Sequence, residues 1–67
     1  MGLFAVIDIG GTSIKYGVIN EDGTLLETND RDTEAYKGGL SIIEKVKDII
    51  HEIKINNDIR GICVSTA

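Results

Sequence analysis

The residues best suited to chemistry lie near the N-terminus, where an acidic residue is followed by two glycines and a threonine. They form the run Asp8-Ile9-Gly10-Gly11-Thr12. Glycine permits positive φ and lets backbone N–H groups approach an anion with no Cβ in the way, and the threonine hydroxyl is a further donor. Asp8 repels a bare phosphate, so its presence implies an intervening cation, most simply a hydrated Mg²⁺. The run therefore predicts a phosphate-binding turn with an associated metal.

Two apolar runs flank this turn and must position it. The residues 3–7 (LFAVI) predict a fully buried strand, and the residues 14–19 (IKYGVI) predict a second strand. A strand–turn–strand arrangement excludes the P-loop, whose G-x-x-x-x-G-K-[ST] run is missing, and the dinucleotide G-x-G-x-x-G turn, which leads into a helix. An ordinary hairpin whose Gly-Gly-Thr only makes a turn remains the structural alternative.

The residues from Asp8 to Lys15 resemble the first phosphate motif of the sugar kinase, Hsp70 and actin superfamily. Within it, Asp-Ile-Gly-Gly-Thr most closely resembles the ROK family (repressors, open reading frames, kinases). The resemblance implies ATP and Mg²⁺ as cofactors and transfer of the γ-phosphate to a hydroxyl of a glucose, N-acetylhexosamine or β-glucoside type of sugar. It implies that Asp8 acts on the metal through water, and that Gly10, Gly11 and Thr12 donate to phosphate oxygens. Lys15 is a candidate phosphate ligand or, if strand two alternates regularly, a solvated side chain.

The remaining chain predicts three further elements. The turn at 20–23 leads to a strand over 24–29, the polar segment 30–37 forms a loop, and a helix runs over 39–55 before a last strand over 59–67. The helix has one apolar face formed by Ile42, Val46, Ile49, Ile50 and Ile53. Ser41 and Glu44 match a capping box at its start. The order β-β-β-α-β is that of the ribonuclease-H-like (actin-like ATPase) α/β fold, so residues 1–67 are expected to form its N-terminal part and to be incomplete.

Composition excludes several other classes of protein. The chain has 67 residues, a net charge of −4 and a single cysteine. Cys63 forms no internal disulfide, and with His51 it is too few ligands for a structural zinc site. The acidic charge argues against nucleic-acid or membrane partners, and no apolar run approaches the ~18 residues of a membrane span. With no signal peptide, we expect a cytoplasmic protein, a buried Cys63 and a solvated His51.

The resemblance leaves three functions open. The first is an ATP-dependent sugar kinase, expected to be a homo-oligomer (dimer), whose catalytic base and sugar site lie outside these residues, so that the chain alone is inactive. The second is a sugar-responsive ROK transcriptional regulator, which has a DNA-binding domain before the phosphate motif. Met1 stands only seven residues ahead of Asp8, which favours the kinase. The third is a type II pantothenate kinase, whose corresponding segment resembles residues 10–15.

Overall fold

The computed structural model describes residues 2–66 and shows a small α/β fold with a four-stranded mixed sheet and one α-helix. The expected order β-β-β-α-β and the predicted fold class are confirmed. The elements are β1 (Leu3–Ile9), β2 (Ser13–Asn20), β3 (Leu25–Asp32), a 3₁₀ turn (Ala35–Lys37), α1 (Gly39–Asn56) and β4 (Ile59–Thr66). The predicted last strand extended to Ala67, which lies outside the described residues.

The sheet has the strand order β3-β2-β1-β4. The first three strands form an antiparallel meander, whereas β4 returns parallel to β1 after the crossover through α1. This arrangement places the carboxyl ends of β1 and β4 at one edge of the sheet. Asp8 pairs there with Ser65 of β4 and with Lys15 of β2. The phosphate-type turn therefore lies at the edge where an open α/β sheet binds ligands.

The core lies between α1 and one face of the sheet. Its buried side chains are Ala5, Ile7, Ile14, Tyr16, Val18, Ile49 and Ile53. The prediction that β1 is buried on both faces is wrong, because Phe4 and Val6 are only half-buried and Asp8 is exposed. Among residues 2–66, α1 covers a single face of the sheet, so the side chains of β1 alternate between core and surface.

The apolar face of α1 is confirmed, with Ile49 and Ile53 buried and Val46 and Ile50 packed against the core. The predicted capping box is wrong, because Ser41 and its partner lie inside the helix. The residue before the helix is Gly38, with φ 94°, a conformation that favours glycine. The backbone therefore turns into α1 through a glycine, and no side chain caps the first turn.

The third strand is longer than predicted. Residues 30–32 pair with β2 up to Ser13↔Asp32, so β3 reaches the phosphate-type turn where a loop was expected. The expected burial of Cys63 is also wrong. Cys63 pairs with Val6, on the sheet face that α1 leaves uncovered, and it is exposed. His51 is exposed on the helix, as predicted.

Candidate phosphate and metal site

Asp8 lies at the carboxyl end of β1 with its side chain exposed. The Ser65 hydroxyl of the neighbouring strand donates a hydrogen bond to Asp8 Oδ1 at 3.1 Å. This bond holds one carboxylate oxygen against β4. A carboxylate accepts several bonds, so Asp8 keeps acceptor capacity for a further ligand.

Four polar side chains cross the uncovered face of the sheet in one row. Strand register gives the order Asp30, Lys15, Asp8 and Ser65, one residue from each strand. Directly opposed side chains in a sheet have Cβ atoms about 4.5–5.5 Å apart, so Lys15 stands between two carboxylates. The row has a net formal charge of −1, which favours a cation beside Asp8.

Lys15 points away from the core, whereas its neighbours Ile14 and Tyr16 are buried beneath α1. Side chains therefore alternate between core and surface in this part of β2. This is the alternation under which a solvated Lys15 is expected from the sequence, and it is confirmed. The same alternation places the lysine beside Asp8, at the face where a metal-bound phosphate would approach. A role of Lys15 in phosphate binding stays a prediction.

The turn between β1 and β2 is tight, and neither of its glycines has a positive φ. The expectation that the glycines serve a left-handed backbone is wrong. Gly10 donates its N–H to the Ser13 carbonyl at 2.9 Å, and a Cβ on Gly10 would lie 2.9 Å from that same oxygen. Gly11 has no atom within 4 Å of the position of a Cβ. Gly10 is therefore needed for the turn to close, whereas a side chain at Gly11 would extend into open space.

Two N–H groups of this turn have no acceptor among the described residues, those of Gly11 and Thr12. Two carbonyls of the turn are occupied. Gly10 O accepts from the Thr33 hydroxyl at 2.8 Å, and Thr12 O accepts from the Thr33 N–H at 3.0 Å. The turn thus keeps two unpaired N–H donors while two of its carbonyls are bonded to Thr33, and unpaired backbone N–H groups of this kind can bind an anion.

Thr33 and Glu34 are not among the site residues that the sequence predicts, which places both in a polar loop. Glu34 has a left-handed backbone (φ 52°) and accepts hydrogen bonds from Lys45, from Lys37 at 2.9 Å and from the Tyr36 hydroxyl at 3.0 Å. These donors, Lys45 foremost, lower the pKa of Glu34 to about 2. The positive φ of Glu34 is uncommon outside glycine, asparagine and aspartate. It is seen in the structure and could not be predicted from the local sequence.

No family model matches the chain. The chain is 97% identical over all 67 residues to the protein CPE0188 of Clostridium perfringens, of which it spans 23%. It is 34% identical over 47 residues, 70% of its length, to a glucokinase of Thermotoga maritima, of which this match covers 15%.

The comparison with solved structures also finds sugar kinases. A ROK family glucokinase from Streptomyces griseus, in complex with glucose and AMPPNP, matches 98% of the chain with a TM-score of 0.85 and 27% identity. A candidate N-acetylmannosamine kinase from Listeria monocytogenes matches 94% with a TM-score of 0.76 and 33% identity. The chain is therefore similar in fold to a ROK family glucokinase and to a second sugar kinase. It spans about a fifth of each of these two kinases.

The site fits a phosphate-bound metal better than a metal enclosed entirely by protein ligands. Among residues 2–66, no three side chains of His, Cys, Asp or Glu are grouped to hold a metal. Mg²⁺ commonly binds one or two carboxylates, with waters and substrate phosphates as its other ligands. Asp8 offers one such carboxylate at the end of β1, the strand that leads into the turn with the unpaired N–H groups of Gly11 and Thr12. No helix of the described chain is long and apolar enough to cross a membrane.

Proposed function

We propose that this chain is the N-terminal phosphate- and metal-binding part of an ATP-dependent sugar kinase. The sugar is of the glucose, N-acetylhexosamine or β-glucoside type. The observation that supports it most is a turn with unpaired N–H groups at Gly11 and Thr12 that follows directly on the strand end carrying Asp8. The likeness to kinases described as a glucokinase and a candidate N-acetylmannosamine kinase supports it further.

In this proposal the chain positions the reacting phosphates and balances their charge. Gly11 and Thr12 donate N–H bonds to the β- and γ-phosphate oxygens of ATP, and Lys15 adds positive charge on the same face. Asp8 orients a hydrated Mg²⁺, which neutralises charge developing on the transferred group. Phosphoryl transfer depends mainly on such positioning and electrostatic stabilisation.

A general base for the sugar hydroxyl is not among the residues we assign. The carboxylates near the turn are the exposed Asp8 and Asp32, and Glu34, which is bonded to two lysines. We infer that the base and the sugar site belong to other parts of a longer kinase. We further infer a cytoplasmic homodimer that binds neither nucleic acid nor membrane, in keeping with the net charge of −4.

The test uses the full-length protein that contains these residues, assayed with MgATP against a panel of hexoses and N-acetylhexosamines. Asp8→Asn is compared with Asp30→Asn, which removes the other carboxylate of the row flanking Lys15. We expect Asp8→Asn to lower kcat/KM by about 10²–10³-fold, the cost of losing one electrostatic contact to the transition state. Sugar affinity and the activity of Asp30→Asn should change little.

Three results would contradict the proposal. If Asp8→Asn were as active as the wild type, Asp8 would not have the proposed role at the metal. Turnover of pantothenate without any sugar would indicate the pantothenate kinase. Sugar binding with no phosphorylation, together with sugar-dependent DNA binding, would indicate the regulator.

A further inference from the structure

Thr33 contacts the phosphate-type turn through two of its carbonyl groups. Its side chain is almost fully buried, at 1% exposure. The hydroxyl donates to Gly10 O at 2.8 Å and the backbone N–H donates to Thr12 O at 3.0 Å. The first bond joins residues 23 positions apart in the sequence. A single residue directly after β3 therefore bonds two carbonyls of the turn, those of Gly10 and Thr12.

The bond to Gly10 O also determines where the next N–H points. The carbonyl of Gly10 and the N–H of Gly11 belong to one planar trans peptide unit, so they point in opposite directions. A hydroxyl that holds the carbonyl toward Thr33 holds the N–H of Gly11 away from it. This N–H has no acceptor among residues 2–66.

We propose that Thr33 is a positioning residue that fixes the orientation of the Gly11 N–H for nucleotide phosphate. This inference rests on the proposed phosphate-binding role of the turn and extends it to a residue that does not touch the ligand. A peptide unit between two glycines is the least restricted in a chain. Fixing it before the ligand arrives reduces the ordering that binding must impose, so the affinity for phosphate is higher.

Thr33 is in turn held by α1. Lys45 of the helix donates to the Asp32 carbonyl at 2.8 Å and also to the Glu34 carboxylate. Because these contacts lie on the residues immediately before and after Thr33, the helix fixes the backbone from which the hydroxyl reaches Gly10. The interactions form a continuous chain from Lys45 through Thr33 to the Gly11 N–H.

The experiment compares Thr33→Val, which removes the hydroxyl, with Thr33→Ser, which keeps it, in the full-length protein. Ile49→Val, on the buried face of α1, is the control for lost stability. Calorimetry gives the Kd of Mg·AMPPNP, and steady-state kinetics give KM for MgATP and for the sugar. We expect Thr33→Val to raise the nucleotide Kd and KM about tenfold, near the value of one hydrogen bond to a charged group. Sugar KM should be unchanged, and Thr33→Ser should recover most of the loss.

The proposal is overturned if Thr33→Val binds Mg·AMPPNP as tightly as Ile49→Val, or if it loses nucleotide and sugar affinity in equal measure. The calorimetric comparison of nucleotide Kd values tests the role of Thr33 even if no sugar is phosphorylated. The absence of phosphorylation would contradict the proposed kinase function and not the role of Thr33. Should Thr33→Val not fold, Lys45→Met decides the matter. A two- to fivefold weaker nucleotide affinity supports the proposal, since a hydrogen bond two steps removed is lost, and an unchanged affinity overturns it.

Discussion

At the scale of single residues, Glu34 shows how a charged side chain can fix a backbone that its own residue type disfavours. Its left-handed φ of 52° is uncommon outside glycine, asparagine and aspartate. Lys37 and Lys45 hold its carboxylate, one from the 3₁₀ turn and the other from α1. The ion pairs therefore stabilise the segment that follows β3 and supports the phosphate-type turn.

These contacts predict an acid-sensitive contribution to stability. The pKa of Glu34 falls from 4.5 to about 2 on folding, since the Lys45 and Lys37 ammonium groups favour the carboxylate. A depressed pKa stabilises the fold fully above pH 4.5, and this contribution is lost as pH falls toward 2. We expect Glu34→Gln to melt below the wild type at pH 7, with a difference that narrows below pH 4.5.

Melting curves of full-length wild type and Glu34→Gln between pH 7 and pH 3 measure this difference. Glu44→Gln, an exposed helix residue with no ion pair among those described, is the matched control and should show no such narrowing. A Glu34→Gln difference that stays constant down to pH 3 would contradict the assigned pKa.

At the scale of elements, the close approach of β2 and β3 depends on Gly17. A Cβ on this glycine would lie 2.3 Å from the backbone oxygen of Glu27, and the strand register shifts nearby, between Val18 and Ile19. A backbone atom cannot move aside as a flexible side chain can. We expect Gly17→Ala to destabilise the protein by about 1–3 kcal/mol, the usual cost of overpacking.

Denaturant unfolding of the full-length protein measures this cost, with Gly11→Ala as the matched control. A Cβ on Gly11 meets nothing within 4 Å and its φ is not positive, so its unfolding midpoint should stay close to the wild type. If Gly17→Ala were as stable as Gly11→Ala, the close approach between β2 and β3 would be wrong.

The elements also show what sequence can predict. The hairpin around residues 8–15 and the apolar face of α1 follow from local periodicity and turn residues, and both are confirmed. The bonds of Thr33 and the ion pair of Glu34 with Lys45 join residues 11 to 23 positions apart. They depend on how β3 and α1 dock on the turn, so no local pattern reveals them. The row that contains Asp8 and Lys15 could likewise be identified only from the strand register.

At the scale of the whole molecule, β4 is an edge strand with an exposed apolar surface. Ile62 and Val64 pair with Ala5 and Ile7, whose side chains face α1, yet they are 44% and 48% exposed. The helix therefore reaches β1 and β2 but does not cover β4. An unpaired strand edge with apolar side chains is prone to pair with another chain.

We therefore expect the 67-residue chain in isolation to self-associate, and Ile62→Lys combined with Val64→Lys to reduce that association. Lysines on an edge strand oppose pairing because they bring like charges together. Ile43→Lys is the matched control, since Ile43 is an exposed apolar side chain of α1 and not of β4, 53% accessible. Sedimentation velocity over a range of concentrations separates monomer from oligomer.

If the unsubstituted chain were monomeric throughout and unfolded in one sharp transition, α1 and the sheet would suffice for a stable unit, and β4 would need no covering partner. If Ile43→Lys dispersed the oligomer as well as the paired substitution did, the association would involve the helix instead of the β4 edge.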